Sequence, residues 1–300
     1  YHFRSPFKIE DAIPRGNGVK VKVKATGICG RDLVVWKGGF KNLRLPLILG
    51  HEVVRYYERK AVAVYPNLFC GSKAGKENLC ENSVILGEGD VTGGYAEEVI
   101  VPERNLIPLP DEDFERYAAA IDPLATSIHA VKISGLNKDD RVLITGAGGG
   151  VGVHLALYLK YLGVKNIFGF SSKVDKLKEL GIQPITDLKG EKFDVVFELV
   201  GSKTINDSLR ALKKEGTLVL IGNVEGEPIT LTRPALTIMR GQRIVGSALY
   251  TKAEYEEAIR LIGERKINPI YEVYELERIN EAYERLINRR VFGRAVLRIT

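Results

Sequence analysis

Residues 19–25 read Val-Lys-Val-Lys-Val-Lys-Ala, apolar and charged positions in strict alternation, the period of a half-buried strand. Short β-like runs continue to about residue 110, among them 61–64 and 95–101, broken by glycines and prolines. This part predicts a mostly β unit with long loops. From about residue 115 the pattern changes: a helical segment over 114–133 leads into alternating strands and helices. Strands are predicted at 141–145, 166–170, 195–198, 217–221 and 242–247, and helices at 151–162, 173–180, 203–213 and 252–264. Such alternation implies a parallel sheet covered on both faces. The tail predicts a helix near 277–288 and a last strand over 294–299, and no internal repeat or low-complexity tract interrupts the chain.

The strand Val142-Leu143-Ile144 runs straight into a glycine turn, Gly146, Gly148, Gly149, Gly150, Val151 and Gly152. A helical pattern follows, with Val153, Leu155, Ala156, Leu159 and Leu162 on one face. A dinucleotide pyrophosphate needs this arrangement: no Cβ where backbone meets phosphate, and open N–H groups at a helix N-terminus. The spacing is G-x-x-G-x-x-G, not the commoner G-x-G-x-x-G, so its weight comes from its place between strand and helix. A glycine turn without ligand is the other reading. The next strand ends in Ser171-Ser172-Lys173, with no carboxylate to bind a ribose 2′-hydroxyl. Two hydroxyls and an ammonium suit a 2′-phosphate, which favours NADP(H) over NAD(H). The same three residues also read as the N-cap of the following helix. Val200-Gly201 and Ile221-Gly222-Asn223 follow later strands, at the crevice where such sheets bind ligands.

Length and composition narrow the classes. Three hundred residues suit two domains, and 45% hydrophobic with 27% charged residues is ordinary for a globular protein. No apolar run reaches the span of a bilayer, and the N-terminus has no signal region, so a cytoplasmic location is expected. The chain begins without Met, which suggests that its first natural residues are missing. Three cysteines make no disulfide framework; metal ligation or burial is expected of them. The net charge is +6, but Lys and Arg interleave with Glu and form no basic block, so no nucleic-acid partner is expected. Abundant Lys, Arg, Glu and Ile with a single Met give a thermophile-like balance.

The pieces Gly27-Ile28-Cys29-Gly30-Arg31-Asp32, Gly50-His51-Glu52, Gly93-Gly94-Tyr95-Ala96-Glu97 and Asp122-Pro123-Leu124-Ala125 precede the glycine turn in that order. On this co-linear series the chain resembles the zinc alcohol dehydrogenase type of the medium-chain dehydrogenase/reductase superfamily over nearly its whole length. The resemblance implies an α/β protein: a GroES-like β-barrel catalytic domain (1–120), a Rossmann cofactor domain with a doubly wound parallel sheet (121–268), and a tail (269–300) returning to the barrel. It places Cys29, His51 and Asp122 as ligands of a catalytic zinc and Glu52 as an occasional fourth. That donor set leaves an open position, as catalytic zinc chemistry requires. Asp32 falls where the family orients the ligand histidine. Thr126 matches a contact near the nicotinamide, and Arg294 an arginine that reaches the pyrophosphate. Family members are usually dimers or tetramers, so a homodimer or homotetramer is expected.

Two departures qualify the likeness. Arg31 stands where many zinc alcohol dehydrogenases carry a Ser or Thr proton relay, and an arginine is no base near neutral pH. The Cys-x-Arg-Asp pattern is similar to archaeal acryloyl-CoA reductase-like members; Arg31 would then meet an acyl-CoA phosphate or a carboxylate, or else form a salt bridge within the barrel. The structural zinc lobe keeps only its two ends, Cys70 and Cys80, and two thiolates make no closed site. Either that metal is lost or loops after Gly71 and Val54 are missing from the chain. The resulting expectation is an NADP(H)-dependent oxidoreductase passing hydride between nicotinamide and a small alcohol, aldehyde or ketone. A zinc-independent enoyl, acyl-CoA or quinone C=C reductase is the alternative, and a catalytically silent nucleotide-binding relative the lesser one. Trp36 and Phe40 are read as pocket or core, and His2, His129 and His154 as structural or exposed.

Overall fold

The computed structural model of the chain describes residues 2–40, 43, 45–68, 75–224 and 226–300. In order come β1 (Val19–Ile28), α1 (Gly30–Trp36), β2 (Glu52–Tyr57), β3 (Lys60–Val64), β4 (Glu98–Val101), β5 (Leu106–Pro108) and α2 (Phe114–Ser134). Next are β6 (Arg141–Thr145), α3 (Gly150–Tyr161), β7 (Asn166–Phe170), α4 (Val174–Glu179), β8 (Gln183–Ile185), β9 (Phe193–Glu198) and α5 (Ile205–Ala211). Last are β10 (Leu212–Leu220), α6 (Pro234–Met239), β11 (Arg243–Gly246), α7 (Lys252–Gly263), β12 (Tyr271–Glu275), α8 (Ile279–Ile287) and β13 (Arg294–Arg298). The chain divides into two compact units, Tyr1–Ala125 with Tyr250–Thr300, and Thr126–Leu249.

The first unit is built on one sheet in the order β12-β13-β1-β2-β3-β5, with β4 also on β1. The alternation of β1 does what its period predicts: Val21 and Val23 are buried, Lys20 and Lys22 exposed. Those valines pack with Val53, Val64, Leu86, Val99, Val101 and Ile299, each such side chain stabilising by roughly 1.5–3 kcal/mol when fully buried. Beyond Val54, β2 continues to Tyr57 and turns at Glu58 and Arg59, with φ of +48° and +64°. That two-residue turn has the twist a tight hairpin needs, so the chain closes there without a longer loop.

The second unit holds a six-stranded sheet, β11-β10-β9-β6-β7-β8, in which every pairing is parallel. Numbered within the unit this is the doubly wound order 6-5-4-1-2-3, and the winding reverses between β6 and β9, the place where sheets of this order bind ligands at their strands' carboxyl ends. The pattern predicted a helix over 203–213; α5 ends at Ala211, because Leu212 already pairs with Phe193 as the start of β10. Two short strands, β8 and β12, were not predicted. The segment 250–268, read as part of the second unit, packs with the first: Tyr65 Oη donates to Tyr250 O at 2.9 Å, and Tyr255 Oη to Val64 O at 2.8 Å. No described helix is long and apolar enough to cross a membrane.

Candidate metal centre and dinucleotide turn

The registers of three strands set up the first site. Gly27 of β1 lies opposite Glu52 of β2, and Ile28 opposite Ala295 of β13. Cys29, one residue past β1, is thereby brought beside His51 and Glu52 at the head of β2 and Arg294 at the head of β13. Gly27 is required here, since a Cβ would collide with the Glu52 carboxylate and the carbonyl of Ala118. Asp122 arrives from α2. One ligand atom from each of Cys29, His51, Glu52 and Asp122 lies within 4.8 Å of all the others; Cys29 is half-buried and the other three are buried.

Asp32 organises the cluster. Its Oδ2 accepts the Cys29 N–H at 2.9 Å and Tyr95 Oη at 2.8 Å, and its Oδ1 sits 3.2 Å from His51 Nδ1. This fixes the ring so that Nε2 faces Glu52 Oε1 and Asp122 Oδ2, each 4.0 Å away. Burial opposes charge on His51, but the Asp32 carboxylate and Cys29 sulfur outweigh it and hold the imidazole well above its usual value. Burial likewise penalises Asp32, and His51 nonetheless pulls it below the ordinary carboxylate range. Asp122 is raised by burial, and Tyr250 Oη donates to its Oδ2. Glu52 is engaged by Arg294, whose Nε donates to Oε2 at 2.9 Å and whose Nη2 pairs with Oε1; the same Nη2 is 3.8 Å from Asp122 Oδ1. A thiol, an imidazole tied at Nδ1, and carboxylates converging on one point are the donor types Zn²⁺ takes, with the orienting partner such histidines use.

Arg31 is held elsewhere. Its Nε and Nη2 form a bidentate pair with Glu88 at 2.5 and 2.9 Å, and its guanidinium stacks over Phe40 at 4.6 Å. The salt-bridge reading of Arg31 describes what the structure shows. Trp36 donates to Ser5 O at 2.8 Å and packs against Tyr283. Cys80 follows a short 3₁₀ turn, Glu77–Leu79, and is half-buried; Cys70 lies outside the described residues.

In the second unit the glycine turn joins β6 to α3. Gly146 has φ +64°, Gly149 is the N-cap, and Gly150 and Val151 open the helix. A Cβ on Gly152 would stand 2.7 Å from Ala147 Cα, so only glycine lets α3 close on the turn. Gly148 lies against the end of β7, where its Cβ would meet Lys173 Cδ at 2.8 Å and Ser171 Oγ at 2.9 Å, and Lys173 Nζ donates to Gly148 O at 3.1 Å. Lys173 is the N-cap of α4, as the N-cap reading of Ser171-Ser172-Lys173 has it, but no side-chain capping bond forms, and Ser171 Oγ instead accepts the Lys173 N–H at 3.2 Å; Ser172 is exposed. Val200 and Gly201 (φ +93°) meet the segment Ile221, Gly222 and Asn223: Val224 N–H donates to Val200 O at 3.2 Å, and the Asn223 side chain crowds Gly201. Thr126 is half-buried in α2.

Sequence reading missed Glu198, which organises this crevice. Fully buried at the end of β9, its Oε1 accepts Thr145 Oγ1 at 2.7 Å, Thr204 Oγ1 at 2.6 Å and the N–H groups of Val200 and Gly201 at 3.0 Å each; its Oε2 accepts Ser208 Oγ at 2.6 Å. The signal available was an acid closing an apolar strand, since a buried carboxylate demands partners.

Comparison with known proteins agrees with both halves of this architecture. Residues 15–111 match the alcohol dehydrogenase GroES-like domain, and residues 150–264 the zinc-binding dehydrogenase family. An NAD-dependent alcohol dehydrogenase of Saccharolobus solfataricus is 31% identical over 95% of this chain and 93% of its own length. The acryloyl-coenzyme A reductase of Metallosphaera sedula is 27% identical, covering 97% of this chain and 95% of the relative. The crystal structure of an alcohol dehydrogenase from Aeropyrum pernix superposes with a TM-score of 0.87 at 28% identity, over 99% of this chain and 97% of that one. Fold and relatives together define an oxidoreductase with a GroES-like and a Rossmann-type unit. The chain belongs to the zinc-type alcohol dehydrogenase family of the medium-chain dehydrogenase/reductase superfamily.

Proposed function

We propose that this oxidoreductase passes hydride between NADP(H) and a small alcohol, aldehyde or ketone, with zinc held by Cys29, His51 and Asp122. The observation that carries the reading is the convergence of their ligand atoms, with Glu52, within 4.8 Å. Zinc held by these residues would supply Lewis-acid polarisation of a carbonyl and acidification of an alcohol. The protein's part is orientation. Asp32 keeps His51 Nδ1 occupied so that Nε2 is the metal-facing nitrogen. Arg294 engages Glu52, which fits the role of an occasional ligand.

For the cofactor, the N–H groups of the turn Gly146, Gly148, Gly149, Gly150, Val151 and Gly152 would take the pyrophosphate. Ser171, Ser172 and Lys173 would take the 2′-phosphate; two of these three touch Gly148, and β7 ends without a carboxylate. Val200, Gly201, Ile221, Gly222 and Asn223 line the crevice, while Thr126 and Arg294 complete the set on family grounds. A homodimer joined through β11 is part of the proposal. This edge strand exposes Ile244, and Ile238 and Met239 of the preceding α6 are 78% and 81% exposed, the kind of apolar edge that another strand covers.

A second reading, reduction of an enoyl thioester without zinc, draws on the acryloyl-coenzyme A reductase likeness, while Arg31 is engaged by Glu88. One experiment separates them: metal analysis of purified protein with NADPH and NADH oxidation against aldehydes, ketones and enoyl thioesters. About one zinc per chain with NADPH-preferring carbonyl reduction is expected. Less than about half an equivalent of zinc, with enoyl reduction retained, would overturn the first reading in favour of the second.

A further inference from the structure

Asp122 is a ligand candidate on a helix, and its carboxylate is bracketed from two sides. Arg294 Nη2 faces Oδ1 at 3.8 Å, while Tyr250 Oη donates to Oδ2. Tyr250 is itself 1% exposed and has little freedom. Its ring stacks on Tyr255 with centroids 5.6 Å apart and planes 21° apart, Tyr65 meets it edge-on at 6.0 Å, and its backbone carbonyl accepts Tyr65 Oη.

We propose that Tyr250 is a positioning residue of the metal centre, whose hydroxyl fixes the Asp122 carboxylate so that it presents one defined oxygen to the cluster. The inference rests on the reading that Cys29, His51 and Asp122 hold zinc. A carboxylate rotates over a broad torsional well; with Oδ2 bonded to a phenol wedged between two rings, that rotation is stopped before the metal arrives. Ligating carboxylates are commonly hydrogen-bonded in this way, and loss of the outer partner typically costs about 10–100-fold in metal affinity. Asp32 does the same for His51 from the other side of the cluster, so each of these ligands has its own fixed partner.

Tyr255 provides an internal control. It is equally buried and stacked on the same ring, but its hydroxyl goes to a backbone carbonyl, Val64 O. Zinc affinity of the full chain, measured by competition with a chromogenic chelator, should fall about 10–100-fold in Tyr250→Phe and stay at the parent value in Tyr255→Phe. Thermal unfolding of the zinc-stripped proteins should drop alike in both, since each loses one buried hydroxyl bond. Cobalt-substituted protein gives a second readout: the visible spectrum should shift in Tyr250→Phe only. Parent-level zinc affinity in Tyr250→Phe, or an equal loss in Tyr255→Phe, overturns the inference while leaving the zinc reading intact. A parent chain that takes up no zinc overturns both.

Discussion

Two buried charged sites in this molecule are satisfied in opposite ways. Glu198, in the second unit, is a single carboxylate surrounded by five donors, three hydroxyls and two backbone N–H groups. The cluster of the first unit has the reverse balance: ligand atoms of Cys29, Glu52 and Asp122 gather about one imidazole nitrogen, with Arg294 paired to Glu52, while Asp32 and Cys29 hold His51 well above its usual value against the penalty of burial. A carboxylate with a full set of donors needs no cation and serves to hold the crevice in shape. Acceptors gathered on one point do need one, and Arg294 supplies it to Glu52 but stands 3.8 Å from Asp122. Incomplete satisfaction of buried polar groups marks the site where a ligand belongs.

The largest effect that tests this contrast is removal of the satisfied acid. Glu198→Leu keeps the bulk and strands at least the Val200 and Gly201 N–H groups without an acceptor. At about 1–3 kcal/mol per orphaned donor, plus what the hydroxyls lose, the expected destabilisation is about 4 kcal/mol or more. Urea unfolding should show it, with zinc content unaltered. Glu198→Gln retains an acceptor oxygen and should lose less. A Glu198→Leu chain as stable as its parent would mean that the five short contacts do not hold the crevice.

The two histidines sharpen the comparison through pH. His51 is raised by Asp32 and Cys29, whereas His154 of α3 is pushed down to about 4 by burial. His154 Nδ1 donates to Gly150 O at 2.7 Å, and its Nε2 has no partner among the described residues. A base whose folded value lies below its unfolded value of about 6.5 gives stability that is complete above pH 6.5 and lost as pH falls toward 4. The amount is about 3 kcal/mol. Urea unfolding of parent and His154→Gln across that window should show the parent losing stability more steeply. Parallel slopes would show that His154 titrates normally in the fold.

How much of this could be read from the chain depended on sequence distance. The turn from Gly146 to Gly152 is contiguous, so its spacing and flanking apolar pattern disclosed both strand and helix, and β6 and β7 fall where predicted. β8, three residues with a central proline, is too short for a period to show. β12 pairs with β13 across α8, and nothing local announces that partner. Cys29, His51 and Asp122 carried no spacing signal at all and were legible only through the family resemblance. Their supports were not legible even so: the Tyr250–Asp122 bond joins residues 128 apart in the chain, and Glu198 meets Thr145 across 53. Side chains that act through a ligand leave no motif, because their position is set by packing.

The smallest expected effect comes from a second pair, Arg294 and Arg55, both buried in the first unit. Arg294 lies among acids. Arg55 of β2 sits in register between Val23 of β1 and Val62 of β3, and none of its guanidinium nitrogens has a hydrogen-bond partner among the described residues. The Tyr57 ring, 6.0 Å from its Cζ, is a poor substitute. Burial pushes Arg55 down to about 9, so at neutral pH the fold still carries an uncompensated cation. Arg55→Met keeps an unbranched chain of similar reach and removes the charge, which should stabilise by at least about 1 kcal/mol. The sign with pH follows from the same shift: the cost of the ion is complete below about 9 and fades as pH rises toward the ordinary guanidinium value. The Tm advantage of Arg55→Met should therefore be widest near neutrality and narrow in alkaline buffer. A variant less stable than its parent at neutral pH would show that Arg55, like Arg294, is matched by an anion, and the contrast between the two arginines would fail.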